Sequence, residues 1–139
     1  MQVFISHATA DEMLVQKLSE ALRKLGLDVW DGTEILPGEN WATKVGEALQ
    51  ESQAMVVLLT PNSLHSSHVR HEISYALGAE NYDRRLIPVL AAPSDQLPKD
   101  EIPWILNNFQ MVSLLKHEQN EEGFKRVAQA VKEANLIAS

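Results

Sequence analysis

The sequence predicts a doubly wound α/β fold, a parallel sheet with helices on both faces. Three observations predict it. Short β-prone apolar runs alternate with stretches of helical periodicity along the whole chain. One run, Ala54 to Leu59, is nearly all apolar, as a strand buried on both faces should be. Turn residues punctuate the alternation, and the order βαβαβαβ(α)βα demands right-handed crossovers between parallel strands. No second domain, internal repeat or low-complexity segment interrupts it, so residues 1–139 read as one domain, free or part of a longer protein.

Val3-Phe4-Ile5 is the first strand, ending at Ser6-His7. Leu14, Leu18, Ala21, Leu22 and Leu25 then share one helical face; Thr9 or Asp11 is the expected cap and Gly26 the stop. Leu27 to Trp30 reads as a second strand, and Asp31-Gly32 and Leu36-Pro37-Gly38-Glu39 as a loop with two turn signals. Trp41, Val45, Ala48 and Leu49 mark a second amphipathic helix, with Trp41 as its core anchor rather than a stacking platform. After the buried strand comes a turn, Thr60-Pro61-Asn62, then a helix from about Ser67 with an apolar stripe at Val69, Ile73, Ala76 and Leu77. Leu86 to Leu90 is a fourth strand, and Pro88 suggests an end or edge position. A proline-rich loop from Pro93 to Pro103 overlaps a short helical turn over 102–108, with Trp104 exposed. Phe109 to Leu115 is the expected fifth strand, and Phe124, Val127, Ala128, Val131 and Ala134 mark the last helix.

Composition excludes several roles. A net charge of −7 argues against general nucleic-acid binding, since nothing would offset phosphate repulsion. No apolar run reaches 18 residues, so no membrane span is expected; with no signal-peptide pattern, the cytoplasm is the economical location. Without cysteine there is no disulfide framework and no Cys-based metal site. The chain has no G-x-G-x-x-G, no P-loop and no G-x-S-x-G elbow. His7-Ala8 and Thr60 stand where a receiver domain would want acidic residues. His65, His68 and His71 cluster at a helix start, which reads as polar surface, and no metal is expected there.

What remains is Glu72. At about 100° per residue it lies roughly 40–60° from the apolar stripe, on its border. His68 precedes it by one turn and Tyr75 follows by three residues, so the three share a face. Glu72 is too far from Ser66 or Ser67 to complete a capping box. Ligands in doubly wound sheets bind at the carboxyl ends of the strands, here Ser6 to Thr9, Asp31 to Trp41 and Thr60 to Glu72. A solvated Glu with an i,i+4 His is the plain alternative.

Three segments together resemble the Toll/interleukin-1 receptor (TIR) domain, closest to its bacterial members. Val3-Phe4-Ile5-Ser6-His7 is similar to the family's first box. Asp31 through Leu36-Pro37-Gly38-Glu39-Asn40-Trp41 is similar to the second box and its BB loop. Ser67-His68-Val69-Arg70-His71-Glu72 is similar to the S-W-x-x-x-E segment, whose Glu is catalytic in members that cleave NAD. The resemblance spans nearly the whole chain and implies a five-stranded parallel sheet in flavodoxin-like order. It also implies an NAD glycohydrolase or cyclase, with NAD+ as substrate, no resident cofactor and Glu72 catalytic, and a place in bacterial immune defence or signalling. Ser6, His7, Ala8, Thr9, Asp31, Thr33, Glu34 and His68 are the expected substrate contacts; a plain turn and surface loop are the other accounts of all but His68. Leu36, Pro37, Gly38, Glu39 and Trp41 form the expected interface of a homotypic TIR–TIR assembly that activates the enzyme. The alternatives are a non-catalytic TIR scaffold and a nucleoside deoxyribosyltransferase-like enzyme. Two departures stand out: His68 replaces the usual Trp, and Phe109-Gln110 only suggests the third box.

Overall fold

A five-stranded parallel sheet in the order β2-β1-β3-β4-β5 forms the centre of the computed structural model, which describes residues 2–79, 85–98, 100–114 and 121–138. The strands are β1 (Gln2–Ser6), β2 (Asp28–Trp30), β3 (Ala54–Leu59), β4 (Leu86–Leu90) and β5 (Val112–Ser113). The helices are α1 (Glu12–Lys24), α2 (Trp41–Glu51), α3 (Pro61–Leu64), α4 (Ser67–Gly78) and α5 (Glu121–Ala138). Alternation within each strand sends side chains to two separate cores. Val3, Ile5, Val56 and Leu58 pack with Leu18 and Leu22 of α1 and Val127 and Val131 of α5. Phe4, Met55, Val57 and Leu59 pack with Val45 and Leu49 of α2 and Val69 and Ile73 of α4. Every residue of β3 is buried, as its apolar run predicts.

The order of strands reverses between β1 and β3, which pair directly with Ser6 opposite Val57. That junction is where a doubly wound sheet opens a crevice at the strands' carboxyl ends.

Several local expectations are corrected. Neither Thr9 nor Asp11 caps α1 through its side chain; Thr9–Asp11 forms a 3-10 turn instead. The Asp11 carboxylate accepts from Thr60 Oγ1 at 2.6 Å and from Asn62 Nδ2 at 3.3 Å, tying that turn to the end of β3. The expected turn at Thr60 begins a short helix, α3, with a Thr60/Ser63 capping box and Pro61 in its first turn. Leu77 is not part of the buried stripe of α4; it is 41% exposed.

Pro88 does not put β4 at an edge, because β4 lies between β3 and β5. Met55 N–H reaches Arg85 O and Ala91 N–H reaches Leu59 O, so odd-numbered residues of β4 face β3. Pro88 therefore turns its nitrogen towards β5, which pairs only with Val89 and Leu90, and its missing N–H leaves the ladder intact. The fifth strand is shorter than expected. Phe109 closes the preceding 3-10 turn, Trp104–Asn108, and only Val112–Ser113 pairs; Leu115 lies outside the described residues.

Candidate active site

The cleft at the β1–β3 junction is built by five parts of the chain. The end of β1 supplies Phe4, Ile5, His7 and, just beyond, Thr9. The first turns of α1 add Glu12, Val15 and Gln16, and the end of β2 with the loop after it adds Trp30, Asp31, Gly32 and Thr33. Trp41 and Val45 of α2 face His68 and Glu72 of α4.

Glu72 reaches this position because α4 starts at Ser67, directly after its cap Ser66. The Ser66 hydroxyl caps the helix, accepting from Val69 N–H at 3.4 Å. One turn on, His68 and Glu72 at i,i+4 point the same way, as the helical spacing predicts. Glu72 is only 6% exposed. Ser6 Oγ donates to Glu72 Oε1 at 2.6 Å, a bond that spans 66 positions of the chain. Among the described residues no donor takes Oε2, so one carboxylate oxygen is held and the other is open to a ligand. Burial raises the Glu72 pKa above the usual carboxylate range, while the Ser6 hydroxyl and positive charge on His68 pull against that rise.

His68 is fixed at both nitrogens. Nε2 lies 3.0 Å from the His7 carbonyl, which can only accept, so Nε2 carries hydrogen. Nδ1 lies 2.9 Å from Ser66 Oγ, within hydrogen-bond reach. His68 thereby ties α4 to the end of β1, next to the Ser6–Glu72 bond.

The loop after β2 is ordered by its own carboxylates. Asp31 is buried; its Oδ1 accepts from Thr33 N at 3.0 Å and Thr33 Oγ1 at 2.6 Å. Burial alone would raise its pKa, but the hydrogen bonds from Thr33 and the charge of Arg23 outweigh it and hold the carboxyl below its ordinary value. Glu34 accepts from the N–H groups of Asp31 and Gly32 and pairs with Arg23 at 3.3 Å. It faces a neighbouring hollow rather than the Glu72 cleft. At the loop tip Leu36, Pro37 and Gly38 are exposed, and Gly38 takes φ +88°, a conformation that favours glycine. Glu39 accepts from Leu36 N–H at 2.7 Å and pairs with Lys44 at 3.0 Å, closing the tip onto α2.

The structure thus brings Ser6, His7, Thr9, Asp31, Thr33 and His68 to Glu72, and leaves Glu34 and Ala8 outside the lining. Trp41 is not the core anchor expected. It is 53% exposed and packs edge-to-face with His68, ring centroids 5.8 Å apart. As the first residue of α2 it stands at the cleft wall, where helical periodicity alone cannot separate a core position from a rim position. Glu12, Gln16 and Trp30 were not anticipated as cleft residues. Glu12 and Gln16 at i,i+4 beside the buried stripe of α1 are the signal that could have found them. Tyr75 lies outside the lining. The histidine cluster diverges: His65 is 3.6 Å from Glu101, while His68 faces the cleft.

Residues 3–128 match the family model described as TIR domain. BtTIR of Bacteroides thetaiotaomicron, a 2′ cyclic ADP-D-ribose synthase, is 28% identical over 102 residues, which make up 71% of this chain and 34% of that protein. The chain therefore spans about a third of that relative's length. The TIR domain of the Toll-related receptor TRR-2 from Hydra magnipapillata superposes with a TM-score of 0.73 at 17% identity, covering 94% of this chain and 97% of that one. The RPS4 and RRS1 TIR domain heterodimer gives 0.66 at 19% identity, covering 96% and 98%.

Proposed function

The chain belongs to the TIR-domain family, and on that premise we propose that it cleaves the bond between nicotinamide and ribose in NAD+, with Glu72 as the catalytic carboxylate. The observation that carries this reading is the buried Glu72, held by Ser6 at the floor of a cleft with one oxygen open.

The chemistry asks for little more. The leaving nicotinamide carries positive charge in the substrate and departs neutral, so no acid is needed to protonate it, whereas an ordinary glycoside needs a carboxyl pair. The electron pair of the breaking bond goes to the ring, and positive charge appears on the ribose. A desolvated carboxylate stabilises that charge more strongly than one in water, because the local dielectric is low. Ser6 orients Glu72 and favours its ionised form. Water attacking the ribose carbon gives ADP-ribose; an internal nucleophile gives a cyclic isomer.

The cleft has a volume of 150 Å³. Pockets that enclose drug-sized ligands run to about 300–1,000 Å³. One copy therefore covers only part of a dinucleotide. A second copy, docked through the exposed loop from Leu36 to Trp41, would cover more of it and exclude water. Specific activity should then climb with protein concentration.

The test is to incubate concentrated protein with NAD+ and follow nicotinamide by chromatography. Release by the unsubstituted chain and none by Glu72→Gln is the expected result; equal release by both would refute the assignment. A non-catalytic scaffold is the second reading, favoured by Leu36 at 65% and Trp104 at 75% exposure. Self-association without nicotinamide release at any concentration would establish it. Exchange of free bases into deoxynucleosides would instead mark a deoxyribosyltransferase.

A further inference from the structure

We infer that Trp41 is the platform for the cationic pyridinium ring, an assignment that rests on the NAD-cleaving reading and adds to it the residue that recognises the leaving group. Three observations carry it.

First, His68 offers a ligand no free nitrogen. Both ring nitrogens are committed, to Ser66 Oγ at 2.9 Å and His7 O at 3.0 Å. What His68 provides is a fixed ring, and Trp41 packs on it edge-to-face. Second, Trp41 is half-exposed yet lines the same cleft as Glu72. Its backbone is set by the cap immediately before it, where the Asn40 side chain accepts from Thr43 N–H at 3.0 Å. The indole is thus anchored at one end and open over the cleft. Third, the described lining holds the carboxylates of Glu12, Asp31 and Glu72 and no Lys or Arg. Such a wall suits a cation, and repels the pyrophosphate. The cationic end of the dinucleotide therefore enters here, and an indole face is the best aromatic partner for a flat cation.

The same electrostatics fix which kinetic constant responds. As the glycosidic bond breaks, positive charge leaves the pyridinium for the ribose. The indole holds the ring most strongly before that happens. Trp41 therefore tightens substrate binding without lowering the barrier of the bound complex. Trp41→Ala should raise KM about tenfold and raise kcat rather than lower it, and Trp41→Phe should retain most of the affinity.

The test has two arms. In the first, kcat and KM for NAD+ are measured for the unsubstituted chain, Trp41→Phe and Trp41→Ala, with circular dichroism to show that each folds. In the second, binding of NAD+ and NADH is measured by calorimetry on Glu72→Gln and on Glu72→Gln with Trp41→Ala. NADH differs in carrying a neutral dihydropyridine. The expected result is that Trp41→Ala weakens NAD+ about tenfold and NADH little. Equal weakening of both, or of neither, overturns the inference. NAD+ that is cleaved with unchanged KM in Trp41→Ala overturns it while leaving the catalytic role of Glu72 standing. Charge-selective binding through Trp41 without any cleavage upholds the platform and removes the catalytic reading alone.

Discussion

Glu72→Gln should separate activity from stability in opposite directions. The substitution keeps the size of the side chain and an acceptor for Ser6, and removes the charge. In the folded protein that charge sits at 6% exposure with a hydroxyl as its hydrogen-bond partner. Its raised pKa means that the fold prefers the protonated form. The resulting stability is fully present below the unfolded-state pKa, about 4.3, and is lost as pH rises through the raised folded value. At neutral pH the wild type carries the full cost of the buried charge, and the Gln variant carries none. Against this, a charge-assisted bond of about 1.5–3 kcal/mol becomes a neutral one of about 0.5–1.5 kcal/mol. The two changes oppose each other, so at neutral pH the variant should match or exceed the wild type in stability. Its advantage should shrink as pH falls towards 4, where both side chains are neutral. Activity should drop by roughly three decades, about 4 kcal/mol of lost transition-state stabilisation. Urea melts at several pH values, beside nicotinamide release, test both halves. A variant that is less stable at pH 7 than at pH 4, relative to wild type, would show that the carboxylate is stabilised by its surroundings. The argument from desolvation would then fail.

Other outcomes follow from the same geometry. Ser6→Ala removes the donor to Glu72 Oε1 and should cost about 1–3 kcal/mol in a melt; by raising the Glu72 pKa further, it should also move the acid limb of the pH–rate profile to higher pH. Asp31→Asn behaves oppositely to Glu72→Gln: a lowered folded pKa contributes stability above the unfolded value near 3.9 and loses it as pH falls, so the variant should be weaker at pH 7 and its deficit should shrink in acid. Gly38→Arg places a side chain at φ +88° and should cost about 1 kcal/mol at a solvent-exposed tip. With Pro37→Ala, it should also blunt the rise of specific activity with concentration while leaving the fold intact. Activity proportional to enzyme over a hundredfold dilution, unaltered by either loop variant, would show a monomer at work.

The legible parts of this fold are those set by period and burial. The run from Ala54 to Leu59 could only be an inner strand, and the border position of Glu72 on α4 followed from 100° per residue. The same spacing puts His68 on the face of Glu72, and Ser6 ends a strand at the carboxyl edge of the sheet. Rim positions were not legible. Trp41 follows a cap and begins a periodic stripe, and the stripe says nothing about whether its first member is covered by neighbours. Glu34 shared a loop with Asp31, yet its direction was set by Arg23, eleven residues earlier and on another element. Pro88 read as an edge residue because sequence cannot show that β5 begins pairing one residue later.

The hydrogen bond between Ser6 and Glu72 also has a consequence for folding order. Its partners are 66 residues apart, on opposite sides of the strand reversal. Contacts of such separation pay their loop-closure entropy before they gain anything, and form late. On a ribosome adding roughly 5–20 residues per second, Ser6 would wait about 3–13 seconds before Glu72 is even synthesised. The carboxylate cannot meet its partner until β1 and β3 lie side by side with α4 docked across them. Neither a nascent chain ending before α4 nor a collapsed intermediate lacking that docking contains the site. The cleft around Glu72 is therefore complete only once β1, β3 and α4 have come together.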